Sequence, residues 1–86
     1  MIVGVAIWYD GKVWALGRPK RHHHIRHWIY LETGNNDAEE TSVEGFIDNE
    51  GRFLNRAEAL IVARANGQLR EDYPLDIEWL FSENLW

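Results

Sequence analysis

The residues best equipped for chemistry fall in two clusters. Arg18, Lys20, Arg21 and Arg26 lie within nine residues that contain no acid, and His22, His23, His24 and His27 stand among or beside them. Three readings of this cluster stay open. His23 and His27 sit at i, i+4 on a helix and suit a shared metal ion. However, no third ligand follows at a recognisable spacing, and the arginines repel a cation, so no metal is expected. A solvated basic face would do no chemistry at all. The third reading is an anion site, where guanidinium forks clasp phosphate and neutral imidazoles add hydrogen bonds.

The second cluster lies in GFIDNEGRFLNRAEALIVARANGQ, residues 45–68. Gly45 to Asp48 reads as a strand, Asn49-Glu50-Gly51 as a tight turn and Arg52 to Leu54 as the returning strand. Asn55 then opens a helix as N-cap, with Glu58 three residues on to complete a capping box. Gly67 marks the stop. The free N–H groups of the first turn, with Arg56 beside them, make a positive corner suited to phosphate. Phe46 and Phe53 offer an aromatic face to a base. The competing reading buries both rings in the core and leaves Arg56 solvated.

The elements that must position these groups can be read along the chain. Ile2 to Tyr9 is β-rich, with Val3, Val5, Ile7 and Tyr9 on one face. Asp10-Gly11 is a strong hairpin signal, and Lys12 to Leu16 makes the partner strand. Trp8 and Trp14 are both candidates for burial. Pro19 fits a helix start, and Ile25, Trp28, Ile29 and Glu32 fall at helical spacing, which predicts a short helix from Lys20 to Leu31. Asn35 to Ser42 is polar and acidic and reads as an exposed loop. In the tail, Leu75, Ile77, Trp79 and Phe81 alternate with other residues as in an extended segment, and WLFSENLW is apolar enough to dock on the body or on a neighbouring subunit. The expected fold is α+β: a small antiparallel sheet from two β-hairpins, a short helix after the first, and one main C-terminal helix.

With 86 residues the chain has room for one domain, 1–86. It is 45% hydrophobic, which suits a packed core. It lacks cysteine, so disulfides and thiolate metal sites are excluded, and an intracellular, cytoplasmic location is expected. No apolar run is long enough to span a bilayer, and the first residues lack the pattern of a signal peptide, so no membrane association is expected. A net charge of −5 argues against binding nucleic acid polymers. The helix from Ala57 to Ala65 is apolar over most of its circumference, which a domain this small cannot bury alone. Self-association is therefore expected.

Taken together, Gly17 with Arg21-His22, Gly45-Phe46, Gly51-Arg52-Phe53, Arg56-Ala57-Glu58-Ala59, Gly67-Gln68 and Leu80 to Trp86 form an ordered pattern. In this the chain resembles a family of small phage proteins, the anti-Thoeris sponges (Thoeris anti-defence proteins of the first type), which also act against CBASS signalling. The resemblance covers nearly the whole chain. It implies a protein that does no chemistry and carries no cofactor. It would sequester immune signalling nucleotides of the cyclic ADP-ribose type, or small cyclic oligonucleotides, in the host cytoplasm. It also implies homo-oligomers, either dimers or trimers of dimers. Arg21, His22, Phe46, Phe53, Asn55 and Arg56 are then the expected ligand-binding residues, with Arg21 and Arg56 in different sites.

An enzymatic reading fares less well. The 45–68 stretch superficially resembles a Nudix box, but Leu60 to Ala63 stand where the metal-binding glutamates belong. A phosphoesterase using His22 to His27 as acid and base is the other enzymatic candidate. A non-catalytic structural or host-interaction module is the stronger alternative.

Overall fold

The computed structural model of the protein describes residues 1–35, 41–71 and 77–86. Strand β1 (Ile2–Tyr9) pairs antiparallel with β2 (Lys12–Gly17). The turn between them is Asp10-Gly11, with φ of +53° and +73°. Two left-handed residues in succession are what a two-residue turn needs to follow the twist of its strands. On its other side β1 pairs with β3 (Val43–Asp48), which pairs with β4 (Phe53–Asn55), giving an antiparallel sheet of order β2-β1-β3-β4. Helix α1 (His22–Thr33) follows β2, and helix α2 (Arg56–Ala65) follows β4 without a spare residue. The fold is α+β, as the two hairpin signals and the helical periodicities imply.

One face of the sheet carries Val5, Ile7, Tyr9, Trp14 and Phe46 into the core, against Ile25 and Ile29 of α1 and Ala59, Leu60 and Ala63 of α2. Register places Val5 opposite both Leu16 and Phe46, so these share a face. The regular alternation of β1 breaks near its start. An irregularity between Ile2 and Gly4 brings Ile2 into the core, and Val3 does not join it. The two tryptophans also part company: Trp14 is buried and Trp8 is exposed.

The β3–β4 turn is organised by Asp48. Its Oδ1 accepts from the backbone N–H groups of Glu50 and Arg52, both at 2.9 Å, and its Oδ2 from Arg52 Nε at 2.8 Å. These donors, the Arg52 N–H first, hold the carboxyl below its ordinary range.

Helix α1 lies two residues further along than the predicted Lys20–Leu31. Pro19 stands outside it, because Lys20 first turns back to donate its N–H to Gly17 O at 3.1 Å. Arg21 is the N-cap, and its N–H donates to His24 Nδ1 at 2.9 Å. At the other end Gly34, with φ +74°, donates to Tyr30 O at 2.8 Å and stops the helix.

Helix α2 has the ends its sequence announces. Asn55 Oδ1 accepts from the Glu58 N–H at 2.8 Å, and Glu58 Oε1 accepts from the Asn55 N–H at 2.9 Å. After Asn66, Gly67 (φ +64°) donates to Arg64 O and Gln68 donates to Ala63 O, the paired bonds of a Schellman stop. The apolar girth of this helix resolves into a buried stripe of Ala59, Leu60 and Ala63 with Val62 half-buried, while Ile61 is 70% exposed.

The tail does not continue as an alternating strand. Leu80, Ser82 and Asn84 are buried, while Trp79 and Phe81 are exposed, which inverts the expected alternation. Leu80 is tied to the start of α2, its N–H donating to Arg56 O at 3.2 Å and its carbonyl accepting from Arg56 Nη1 at 2.6 Å, and a short 3-10 turn follows at Ser82–Asn84, held by Asn84 Oδ1 accepting from the Phe81 N–H at 2.8 Å. Leu85 and Trp86 pack on the core, so the end of the chain docks on the body as its apolarity predicts. Leu75 of the alternating pattern, and Asn36 to Glu40 of the acidic loop, lie outside the described residues. No helix among the described residues is long and apolar enough to cross a membrane.

Candidate functional site

Where α1 begins, α2 begins and the C-terminal segment crosses over both, the structure forms a half-open cleft of about 150 Å³. It is lined by Arg21, His22, His23 and Arg26 from the first part of α1, by Glu44 of β3, by Arg56 of α2, and by Phe81, Ser82 and Glu83. Arg21 and Arg56 are thus placed in one site, where the sequence reading expected two. Their separation in sequence is bridged by β3, which pairs centrally in the sheet and brings the first turns of both helices to the same end.

Glu44 is the hinge of the arrangement. Its Oε1 accepts from Arg56 Nη2 at 3.1 Å, and its Oε2 from Arg26 Nη1. Burial pushes the Glu44 carboxyl up, but the Arg56 hydrogen bond and the charges of His22, Arg56 and Arg26 outweigh it, so its pKa is lowered overall. A second Arg56 bond runs from Nη1 to Leu80 O at 2.6 Å. The Arg56 guanidinium also lies 4.7 Å from the centre of the Phe81 ring, a cation–π contact at the mouth of the cleft. Arg21 completes the rim. It donates through Nη1 to Ser82 Oγ at 3.0 Å and through Nη2 to Trp86 O, and Glu83 lies 3.7 Å away. Three arginines against Glu44 and Glu83 leave the cleft with a positive balance, on a chain whose net charge is −5.

His22 forms part of the wall and is itself buried. Its Nε2 lies 2.7 Å from Gly45 O. A carbonyl can only accept, so Nε2 carries the proton in this pairing. The ring also meets Phe46 edge to face, with centroids 5.1 Å apart. Burial, then the charges of Arg56 and Arg26, lower the His22 pKa against the opposing pull of Gly45 O and Glu44. His22 is therefore held neutral near pH 7. His23, by contrast, is exposed and lines the cleft, with its ring centre 4.1 Å from that of His24. Among the described residues no group of three His, Asp or Glu side chains is placed to hold a metal ion.

Of the residues singled out in the sequence, Arg21, His22 and Arg56 come together at this cleft. Asn55 sits next to Arg56, with its side chain committed to the α2 cap. Phe46 is fully buried, and Phe53 packs over Gly45, where its ring would lie within 3.0 Å of an added Cβ. Neither ring lines the cleft. The aromatic that does is Phe81, and Arg26, Glu44 and Ser82 are further lining residues. Glu44 carried a legible signal: it shares strand parity with Phe46, so a strand that buries Phe46 turns Glu44 inward as well. The roles of Phe81 and Ser82 had none, because they depend on how the tail docks on Arg21 and Arg56.

Fold and site thus define a small α+β protein with an arginine-rich cleft closed on one side by its C-terminal segment. Residues 1–86 match the model of the phage T4 y16D protein family, and the chain belongs to that family. No curated protein and no solved structure gives a significant match.

Proposed function

We propose that this phage-family protein binds a small phosphorylated ligand of the cyclic signalling nucleotide class and withholds it, unchanged, from its effectors in the host cytoplasm. The observation that carries the reading is the convergence of Arg21, Arg26 and Arg56 on one cleft of about 150 Å³. Guanidinium forks match phosphate oxygens in geometry as well as charge. The cleft is large enough for a phosphate group. Phe81, 47% exposed at the mouth, offers a face against which a base can stack. The resemblance to phage sponges of such nucleotides points the same way.

In this reading the protein does no chemistry, and two of the cleft's acid–base groups are already engaged. His22 is bound to Gly45 O, and Glu44 is paired with two arginines that keep it ionised and weakly basic. Neither is placed as a general base for attack on a phosphodiester. An acidic surface outside the cleft disfavours long polyanions and leaves a ligand with few phosphates.

One observation favours a structural rival: Arg21 and Arg56 already donate to Ser82 Oγ, Trp86 O and Leu80 O, so they also anchor the tail. Calorimetric titration with a panel of cyclic nucleotides separates the two. The ligand reading expects saturable binding that weakens about tenfold or more, ~1.4 kcal/mol, in Arg21→Gln and in Arg56→Gln. No heat with any member of the panel would leave the arginines a structural role.

A further inference from the structure

The three consecutive histidines are used in three different ways. His22 bonds to Gly45 O and His23 lines the cleft, whereas His24 turns back to the start of its own helix. Arg21 is the N-cap of α1, and a guanidinium has no acceptor with which to cap a helix. No acid stands in the first turn either. His24, at the third helical position, takes the place that Glu or Gln holds in an ordinary capping box: its Nδ1 accepts from the Arg21 N–H at 2.9 Å. That bond needs a lone pair on Nδ1, so the ring must be neutral, with its proton on Nε2.

The Arg21 N–H and the Lys20 carbonyl belong to one peptide unit, which is planar and turns as a whole. His24 holds its N–H side. Trp86 holds the other, its Nε1–H donating to Lys20 O at 3.1 Å. The Arg21 side chain grips the same segment, donating through Nη2 to Trp86 O and through Nη1 to Ser82 Oγ at 3.0 Å. The Arg18 guanidinium lies 5.9 Å from the centre of a Trp86 ring. A Lys20–Arg21 peptide that loses its bond to His24 is free to turn, and turning it carries the Lys20 carbonyl away from the indole.

We propose that His24 is a positioning residue for Arg21 and an acid-sensitive latch on the C-terminal segment. Neutral, it fixes the peptide on which Trp86 docks; protonated, it releases that peptide and the segment loosens at the cleft. The groups around His24 oppose its proton. The His23 ring centre lies 4.1 Å from its own, Lys20 and Arg21 are cations, and this end of the helix is the positive one. The C-terminal segment brings Glu83, whose carboxylate lies 3.7 Å from Arg21 Nη1 and is paired there. Burial first, then the charges of His23 and Lys20, lower the His24 pKa below its ordinary 6.5. The cap is therefore complete above pH 6.5 and is lost as pH falls through the folded value. Because Arg21 lines the cleft, the cleft keeps its shape at neutral pH and slackens in acid, whether or not a ligand binds.

An NMR titration of the whole chain from pH 7.5 to 5 tests this, read at the Arg21 amide, the Trp86 indole N–H and the His24 ring. In the wild type the Arg21 amide proton should move upfield as its bond is lost, and the Trp86 indole proton with it. Both should follow the His24 ring with one midpoint below 6.5. His24→Gln keeps an acceptor that does not titrate, so both signals should stay fixed over the same range. His27→Gln, at an exposed histidine of the same helix, should titrate as the wild type does. An Arg21 amide or Trp86 indole that stays fixed in the wild type while His24 titrates overturns the proposal. So does a His24 ring that remains neutral throughout, or a shift of both protons that persists in His24→Gln. The wild-type curves decide by themselves if the glutamine variant does not fold.

Discussion

Glu44 Oε1 accepts a hydrogen bond from Arg56 Nη2 at 3.1 Å, and this pair joins the central sheet to the first turn of α2 inside the arginine cleft. The carboxylate occupies one fork of a guanidinium that a ligand phosphate would otherwise use. Glu44→Gln should therefore act in opposite directions on stability and on binding. Losing two partly exposed ion pairs should cost about 1–2 kcal/mol in urea unfolding. Anion affinity should rise in the same variant, because a neutral amide no longer competes for Arg26 and Arg56. Affinity that falls along with stability would mean that Glu44 serves the ligand rather than opposing it.

His22 supplies a pH dependence whose sign is fixed by its lowered pKa. The unfolded chain takes up this proton near 6.5, while the folded chain takes it only at lower pH. The stability contributed by neutral His22 is present in full above pH 6.5 and is lost as pH falls through the folded value. Arg56 and Arg26 deepen the effect, and Glu44 opposes it. His22→Gln keeps a donor for Gly45 O but cannot titrate. Denaturation midpoints measured from pH 7.5 down to 5 should fall less steeply in this variant than in the wild type.

Asn55→Ala removes the acceptor for the Glu58 N–H and opens one half of the capping box. The expected loss is about 1 kcal/mol of unfolding free energy, read from the chemical denaturation midpoint at unchanged slope. The substitution also loosens the turn that presents Arg56, so any anion affinity should weaken modestly rather than vanish.

Gly45→Ala should be far more damaging. An added Cβ would lie 2.2 Å from Leu54 O and 2.7 Å from the Phe53 ring. A backbone oxygen cannot swing away as a side chain can, so β3 and β4 must separate. The cost should exceed about 2 kcal/mol. Because the Gly45 carbonyl also accepts the hydrogen bond from His22 Nε2–H, thermal unfolding of this variant should show a lowered midpoint.

Much of the fold was legible because it is written in local chemistry. Asp10-Gly11 dictates its turn, Asn55 and Glu58 their cap, and Gly67 its stop, each from residues within a few positions of one another. The site was legible only in its parts. Arg21 and Arg56 were identified as cations at helix starts, yet their meeting depends on β1 pairing with β3 across the sheet, a long-range contact no local spacing encodes. Whether Phe46 and Phe53 face a ligand or the core stays open in the sequence, because proximity to Arg56 says nothing about the sheet face. Strand parity puts Phe46 in the core and Phe53 on the opposite side. Phe81 was hidden for the converse reason: the alternating tail put Ile77, Trp79 and Phe81 on one face, whereas it is Leu80, bonded to Arg56, that is buried, which leaves Phe81 at the cleft.

The central claim is that the arginine cleft holds a cyclic signalling nucleotide without altering it. The most direct measurement is to incubate the protein with a panel of such nucleotides, remove the unbound fraction, denature the complex by heat and identify what is released by chromatography. The account predicts recovery of one or more nucleotides in intact cyclic form, in amounts comparable to the protein, and little recovery from Arg21→Gln or Arg56→Gln. Release of a linear or hydrolysed product, or of nothing from the wild type, would contradict it.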